Sequence, residues 1–284
     1  MTKMRHILLT TDFSDNSIHA INYALELFTY AECEFHVLHV VKSSTFISDD
    51  LMQSKPTESL YSELISDAKV KLESLIETFK NKHNNLLHTF EPVVDYDNLI
   101  GSINQTVALH DIELIIMGTK GATNLEKIIF GSNTLRVFQR CHISVLAIPI
   151  NCPIKQIKNV LFTTKYQSAY KLKDLSVLID LAEHYDYKVD ILHISEAKKI
   201  DSKQHVVQQE LEVFFKNINH QFVFKSETTY LRTVLDYIKE NDIELFTMMR
   251  KQHSFLEHLF LNHKTEQIAY NMQVPFLMMA FKDN

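Results

Sequence analysis

The chain has 284 residues, 45% hydrophobic and 23% charged, and a formal net charge of −6 at pH 7. That length exceeds the usual span of one domain and suits two, each able to bury its own core. Lysine and arginine are scattered along it, so neither nucleic acid nor an anionic membrane surface finds a basic footprint.

The predicted elements alternate between short β-type runs and longer helical patterns. "HILLTT" reads as a strand, "SDNSIHAINYALELFTYA" as a helix and "EFHVLHVV" as a second strand. A polar loop from Ser43 to Thr57 follows, of a length that suits a mobile cover. Next come the helix "ESLYSELISDAKVKLESLIETFKNK", the strand "LLHTFEPVV", the helix "DNLIGSINQTVALHD" and the strand "IELIIMG". A glycine-rich stretch leads to the helix "SNTLRVFQRC" and the strand "ISVLAIP". Strands rich in Ile, Val and Leu on both faces, separated by helices, predict an α/β, doubly wound parallel sheet with helices on both sides.

The pattern then recurs. "NVLFTTKYQS" echoes "HILLTTDFSD", "VDILHIS" echoes "FHVLHVV", and "YIKENDIELFTMM" echoes "ALHDIELIIMG". Leu114 to Pro149 aligns without a gap against Leu245 to Ala280. Two tandem domains, 1–150 and 155–284, are the expected organisation, joined near "INCPIKQIK".

Cys33, Cys141 and Cys152 are odd in number and lack CxxC spacing, which favours reduced thiols over a disulfide framework or zinc cluster. The opening "MTKMRHILLTTDFSD" turns polar too early for a secretory signal, and no apolar run approaches 18 residues. A cytoplasmic setting without a membrane span is expected.

The chain holds 4 glycines, where average usage of about 7% would give roughly 20. Three of them stand in "GTKGATNLEKIIFGSN". Glycine reaches positive φ cheaply and lets a ligand approach the backbone, so those positions are expected to need one or both properties. Gly118 and Gly121 follow a buried strand, and Gly131-Ser132 open a helix. Free amides and the helix dipole can therefore converge on an anion, with the hydroxyls of Ser132 and Thr134 as further donors. No G-K-[ST] follows and no G-x-G-x-x-G is present, which excludes a Walker A loop and the dinucleotide fingerprint.

The spacing G-x2-G-x9-G-S, together with "LLTTDFS" and "FHVLHVV", resembles the ATP-binding type of universal stress protein, and the two halves resemble its tandem form. The resemblance implies a five-stranded parallel sheet in each domain, in the order 3-2-1-4-5, with the ligand at the switch between strands 1 and 4. It implies that Thr10, Thr11 and Asp12 lie beside the nucleoside and that the backbone of Val40 reads the adenine edge. Met117, Gly118, Thr119 and Gly121 would pass along the ribose and phosphates, while Gly131, Ser132, Asn133 and Thr134 cradle the phosphates. Asp12 is also placed to cap the helix that follows it. Thr10 stands where the family often has proline. ATP, with or without Mg2+, is the implied cofactor, and a nucleotide-responsive regulator of stress response or dormancy the implied role. The family's final strands pair, so "SVLAIP" and "PFLMMA" are expected to pair within this chain, with a further homodimer left open.

The second half departs from this pattern. Asp12 is matched by Lys165, Gly118 by Met249, Gly121 by Gln252, Gly131 by Asn262 and Ser132 by His263. A degenerate, non-binding domain is expected there. His253, His258 and His263 stand five residues apart, off the i, i+4 spacing of a helical metal site, so no metal is assigned. No catalytic residue is assigned either. A serine hydrolase lacks its G-x-S-x-G elbow, and a phosphoacceptor receiver lacks an aspartate directly after strand 3, Asp95 lying past Pro92. The competing readings are a slow ATP hydrolase and an interaction module with a vestigial glycine loop.

Overall fold

A computed structural model describes residues 4–41, 58–96, 98–119, 131–167, 169–197, 199–227, 229–250 and 273–281. The Ser43 to Thr57 loop, Gly121 and the segment carrying His253, His258 and His263 lie outside the described residues. Those described form two compact units, the first reaching Cys141 and the second beginning at His142.

In the first unit, β1 (Arg5–Thr10), α1 (Asp15–Leu27), β2 (Cys33–Val40), α2 (Glu58–His83), β3 (His88–Asp95), α3 (Leu99–Leu109), β4 (Leu114–Gly118) and α4 (Ser132–Arg140) follow one another. The strands lie in the order β3-β2-β1-β4, and the three pairings between them are parallel. Helix starts are set by short polar side chains: Ser14 Oγ accepts from Ser17 N at 3.3 Å, and Asn98 Oδ1 accepts from Gly101 N at 2.8 Å. The cap of α1 is therefore Ser14, not Asp12. Asp12 instead accepts from the amide and hydroxyl of Ser14, at 3.1 and 2.5 Å, and holds the capping residue in place.

Pro92 does not interrupt β3, which runs through to Asp95. The strand lies at the edge of this unit's sheet and pairs with β2 alone, so a residue without an amide hydrogen is tolerated there. The receiver reading fails for a different reason from the one the sequence offers. In the flavodoxin-like order 2-1-3-4-5, strands 1 and 3 are neighbours, whereas here β2 separates Asp95 from Asp12.

The second unit contains β5 (Ser144–Ile148), β6 (Asn159–Thr164), α5 (Leu172–Tyr185), β7 (Lys188–Ser195), α6 (Ser202–Phe214), β8 (His220–Ser226), α7 (Tyr230–Glu240), β9 (Leu245–Met249) and β10 (Phe276–Met279). Its strands run in the order β5-β10-β9-β6-β7-β8. β10 is parallel to β9 and antiparallel to β5, where Leu277 lies opposite Leu146. Phe162, Phe215, Phe246 and Phe276 are fully buried at its centre. The whole is the α/β architecture that the alternation of patterns leads one to expect. All three cysteines are buried and none forms a disulfide, and burial pushes the Cys33 and Cys152 thiols up to about 12, leaving them unreactive near neutral pH. Among the described residues, no helix is long and apolar enough to cross a membrane.

Candidate functional site

In the first unit the chain turns sharply at the carboxyl end of β1. Thr11 N donates to Leu38 O at 2.9 Å, extending the β1–β2 ladder by one residue. Phe13 then takes a left-handed conformation, φ 61°, its amide donating to Thr11 Oγ1 at 3.0 Å. The same hydroxyl meets Ser17 Oγ at 2.9 Å. From β2, His39 Nδ1 lies 2.9 Å from the Thr11 carbonyl; a carbonyl only accepts, so this nitrogen carries the proton. The His39 ring packs on Phe13 with centroids 4.4 Å apart, and Lys71 of α2 sits over the other ring at 4.2 Å. Thr10 and Thr11 are buried and Asp12 is exposed, beside this hub.

The carboxyl end of β4 lies next to β1, with Leu9 opposite Ile116. Met117 and Thr119 are buried around Gly118. A Cβ on Gly118 would come within 2.8 Å of Asn16 Cγ. No described glycine has positive φ, so of the two properties expected of them a left-handed backbone is not what Gly118 or Gly131 supplies. At Gly118 the requirement is close approach by a buried α1 side chain.

Gly131 opens α4 with φ −60° and no side-chain cap, so among the described residues no cap side chain occupies the first-turn amides. Two ties fasten that helix start to the end of β4. Gly131 N donates to Thr119 O at 2.6 Å, and the Thr134 hydroxyl donates to the carbonyls of Gly118 and Thr119 at 3.0 and 3.1 Å. Ser132 and Asn133 are exposed on the first turn; Thr134 is buried, its hydroxyl committed to these carbonyls. Val40, at the end of β2, lies opposite Asp95 and is half-buried. Thr10, Thr11, Asp12, Met117, Gly118, Thr119, Gly131, Ser132, Asn133 and Thr134 thus gather around the ends of two neighbouring strands and one helix.

The sequence profile of the universal stress protein family matches residues 3–149, just over half of the chain. This chain belongs to the universal stress protein family. A family member from Methanocaldococcus jannaschii, Universal stress protein MJ0531, is 28% identical over 149 residues, which cover 51% of this chain and 81% of that protein. A universal stress protein from Archaeoglobus fulgidus has a crystal structure that covers 98% of this chain and 97% of its own, with a TM-score of 0.67 and 18% identity. The functionally unknown protein PA1789 of Pseudomonas aeruginosa covers 96% of this chain and 92% of its own, with a TM-score of 0.59 and 9% identity. The last two likenesses show a shared fold over both units.

The second unit rebuilds the hub with different side chains. Tyr166 is left-handed, φ 53°, and its amide donates to Thr164 Oγ1 at 3.0 Å. His193 Nδ1 donates to Thr164 O at 2.9 Å and its ring stacks on Tyr166, with centroids 4.7 Å apart. Where Thr11 meets the small Ser17, Thr164 meets the Tyr170 hydroxyl at 2.7 Å, also six residues on. Tyr166 and Tyr170 are buried, and so is Met249, at the end of β9 where β4 has Gly118.

His39, Phe13 and Lys71 escape a search for glycines and carboxylates. The signal for His39 was the "LH" shared by "FHVLHVV" and "VDILHIS", and for Phe13 the aromatic shared by "TTDFS" and "TTKYQ".

Burial, the leading cause, lowers the pKa of His39, His88 and His193 below the ordinary value. His193 Nε2 is buried without a hydrogen bond, so a second proton finds no acceptor there. The unfolded chain therefore binds more protons than the native one just below about pH 6.5. The stability these histidines contribute is complete above that pH and is lost as pH falls through their folded values. Thermal melts should show Tm falling progressively from pH 7.5 to 5; a level Tm would contradict this account.

Proposed function

We propose that this protein binds ATP in its N-terminal domain, 1–150, and acts as a nucleotide-responsive regulator in the cytoplasm, while the domain 155–284 binds no nucleotide. The observation that carries this reading is the uncapped start of α4 at Gly131, tied by Gly131 N and Thr134 Oγ1 to the end of β4 and so set beside Thr10-Thr11-Asp12. An α/β sheet takes its ligands at such a reversal of strand order, and a helix N-terminus favours phosphate by its dipole and free amides. The residues present fit that group. Ser132 and Asn133 offer exposed donors on the first turn, and Thr134 holds the turn in place.

Bound ATP would place its triphosphate, with or without Mg2+, along Met117, Gly118, Thr119, Gly121, Gly131, Ser132 and Asn133. Both hydrogen bonds that fix Asp12 end on Oδ1, leaving Oδ2 as the oxygen for a ribose hydroxyl. The Val40 backbone would meet the adenine edge, and Lys71 adds a positive charge nearby. In the second domain Lys165 replaces Asp12, Met249 replaces Gly118, and the Tyr166 and Tyr170 rings occupy the region around the hub. These substitutions support a degenerate site. The antiparallel register of β5 and β10 supports pairing of the two final strands within one chain.

The test is direct. Purified protein, denatured, should release adenine nucleotide, and stripped protein should bind ATP by calorimetry. Gly131→Val combined with Asp12→Ala should weaken that binding roughly tenfold or more, a change of about 1.4 kcal/mol. The φ of Gly131 suits any residue, so the double variant should keep its far-ultraviolet dichroism. No released nucleotide and no binding, or an unchanged affinity in the double variant, would reject the reading in favour of an interaction module. Single-turnover incubation with ATP separates a binder from a slow hydrolase.

A further inference from the structure

The first unit carries a histidine–glutamate cluster toward the amino ends of β1 and β2, away from the crevice past their carboxyl ends. Strand register assembles it. His6 lies opposite Glu34 across β1–β2, and His36, two residues along the same face, lies opposite Glu91 across β2–β3. His110, at the end of α3, closes over that face, its ring 4.3 Å from that of His36. His36 is 1% exposed.

Glu34 stands between two imidazoles, with Oε2 at 3.5 Å from His6 Nδ1 and Oε1 at 3.6 Å from His36 Nε2. Neither of those ring nitrogens has a hydrogen-bond partner, although both atoms are buried. Ligands about 2.0–2.1 Å from a tetrahedral ion lie about 3.3 Å from one another, close to the separations seen here.

We propose that His6 Nδ1, Glu34 and His36 Nε2 bind a borderline transition-metal dication of the Zn2+ class, with Glu91 orienting His36 from its other nitrogen. Two imidazoles and one carboxylate select such ions over Mg2+ or Ca2+, and three protein ligands leave a fourth position for water. Glu91 Oε2 lies 3.1 Å from His36 Nδ1, within ion-pair distance but not aligned as a hydrogen bond, so a small turn of the ring would bring this carboxylate into the role that fixes the tautomer of a ligating histidine. A dication also balances the two carboxylates when the imidazoles are neutral. The site is independent of nucleotide, joins β1 to β2, and differs from the histidines at 253, 258 and 263.

The experiment uses the full chain, stripped with a chelator and titrated with Zn2+ by competition calorimetry, with Co2+ absorption as the coordination readout. Wild type should bind one ion more than Glu34→Gln and give tetrahedral Co2+ bands that the variant lacks. Glu91→Gln should retain the ion with about 10–100-fold weaker affinity, and His110→Ala should retain it. Because His36→Ala removes a buried ring and risks misfolding, the half-exposed Glu34 is the primary variant. Equal stoichiometry and affinity in wild type and Glu34→Gln would overturn the proposal. So would loss of the ion in His110→Ala together with its retention in His6→Ala.

Discussion

Phe276→Ala is expected to cost about 3–5 kcal/mol of stability in the second unit, the range for deleting a fully buried aromatic ring. Phe276 is completely buried on β10, stacked on Phe246 of β9 with centroids 5.1 Å apart and opposite Ala147 of β5. β10 has only four residues, all buried, so the Phe276 ring is a large share of the apolar surface that holds this short strand between its two neighbours. Losing the ring should also loosen the strand and bare the edges of β5 and β9, inviting association through unpaired backbone. Urea unfolding followed by circular dichroism, with light scattering at the midpoint, would read both effects. A cost below about 1 kcal/mol would mean that the surrounding phenylalanines collapse into the gap.

Gly118→Val should destabilise the first unit by about 1–3 kcal/mol, the usual penalty for overpacking. The cause is steric rather than conformational, because Gly118 does not occupy positive φ. A Cβ there would meet Asn16 Cγ, Nδ2 and Oδ1 at 2.8–2.9 Å, and Asn16 is buried on α1 with little freedom to retreat. Asn16→Ala in the same chain should therefore recover a large part of the loss, although each single change is destabilising. Additive losses would instead show that Gly118 is needed for something other than room beside Asn16.

The sequence discloses most of the architecture because the fold is written in hydrophobic periodicity. "HILLTT" and "NVLFTT" become β1 and β6 within a residue, and the ungapped match of Leu114 to Leu245 anticipates β4 and β9 occupying equivalent places. Proline misleads at one point. Pro92 looks like an interruption, but whether a proline is tolerated depends on which edge of the sheet the strand occupies, and no local pattern states that.

The candidate site is less legible than its residue list suggests. The spacing of Gly118 and Gly131 points to the end of β4 and the start of α4, yet the reason for Gly118 is a side chain 102 positions earlier, in α1. Asp12 looks like a cap, but Ser14 wins because its hydroxyl reaches Ser17 N while Asp12 supports it from behind. Thr134 looks like a phosphate donor until its hydroxyl is found between two backbone carbonyls. His36 and its neighbours were invisible for a plainer reason. Glu34 and His36 are separated by the strand period of two, and their partners at 6, 91 and 110 join them only through cross-strand register.

The six left-handed residues among those described bear on the chain before it folds. Phe13, Asn84, Asp111, Tyr166, Asp186 and Asp242 hold positive φ without a glycine among them. Each left-handed side chain is strained in the native state, most of all the two aromatic ones. Glycine would relieve that strain, but it would also widen the range of shapes open to the denatured chain and so raise the entropy lost on folding. A polypeptide with 4 glycines in 284 residues begins from a comparatively stiff ensemble. Its scarcity of glycine, first noticed as a clue to a binding loop, also stabilises the fold through the unfolded state wherever the native φ is negative, while at these six positions the native strain outweighs that gain.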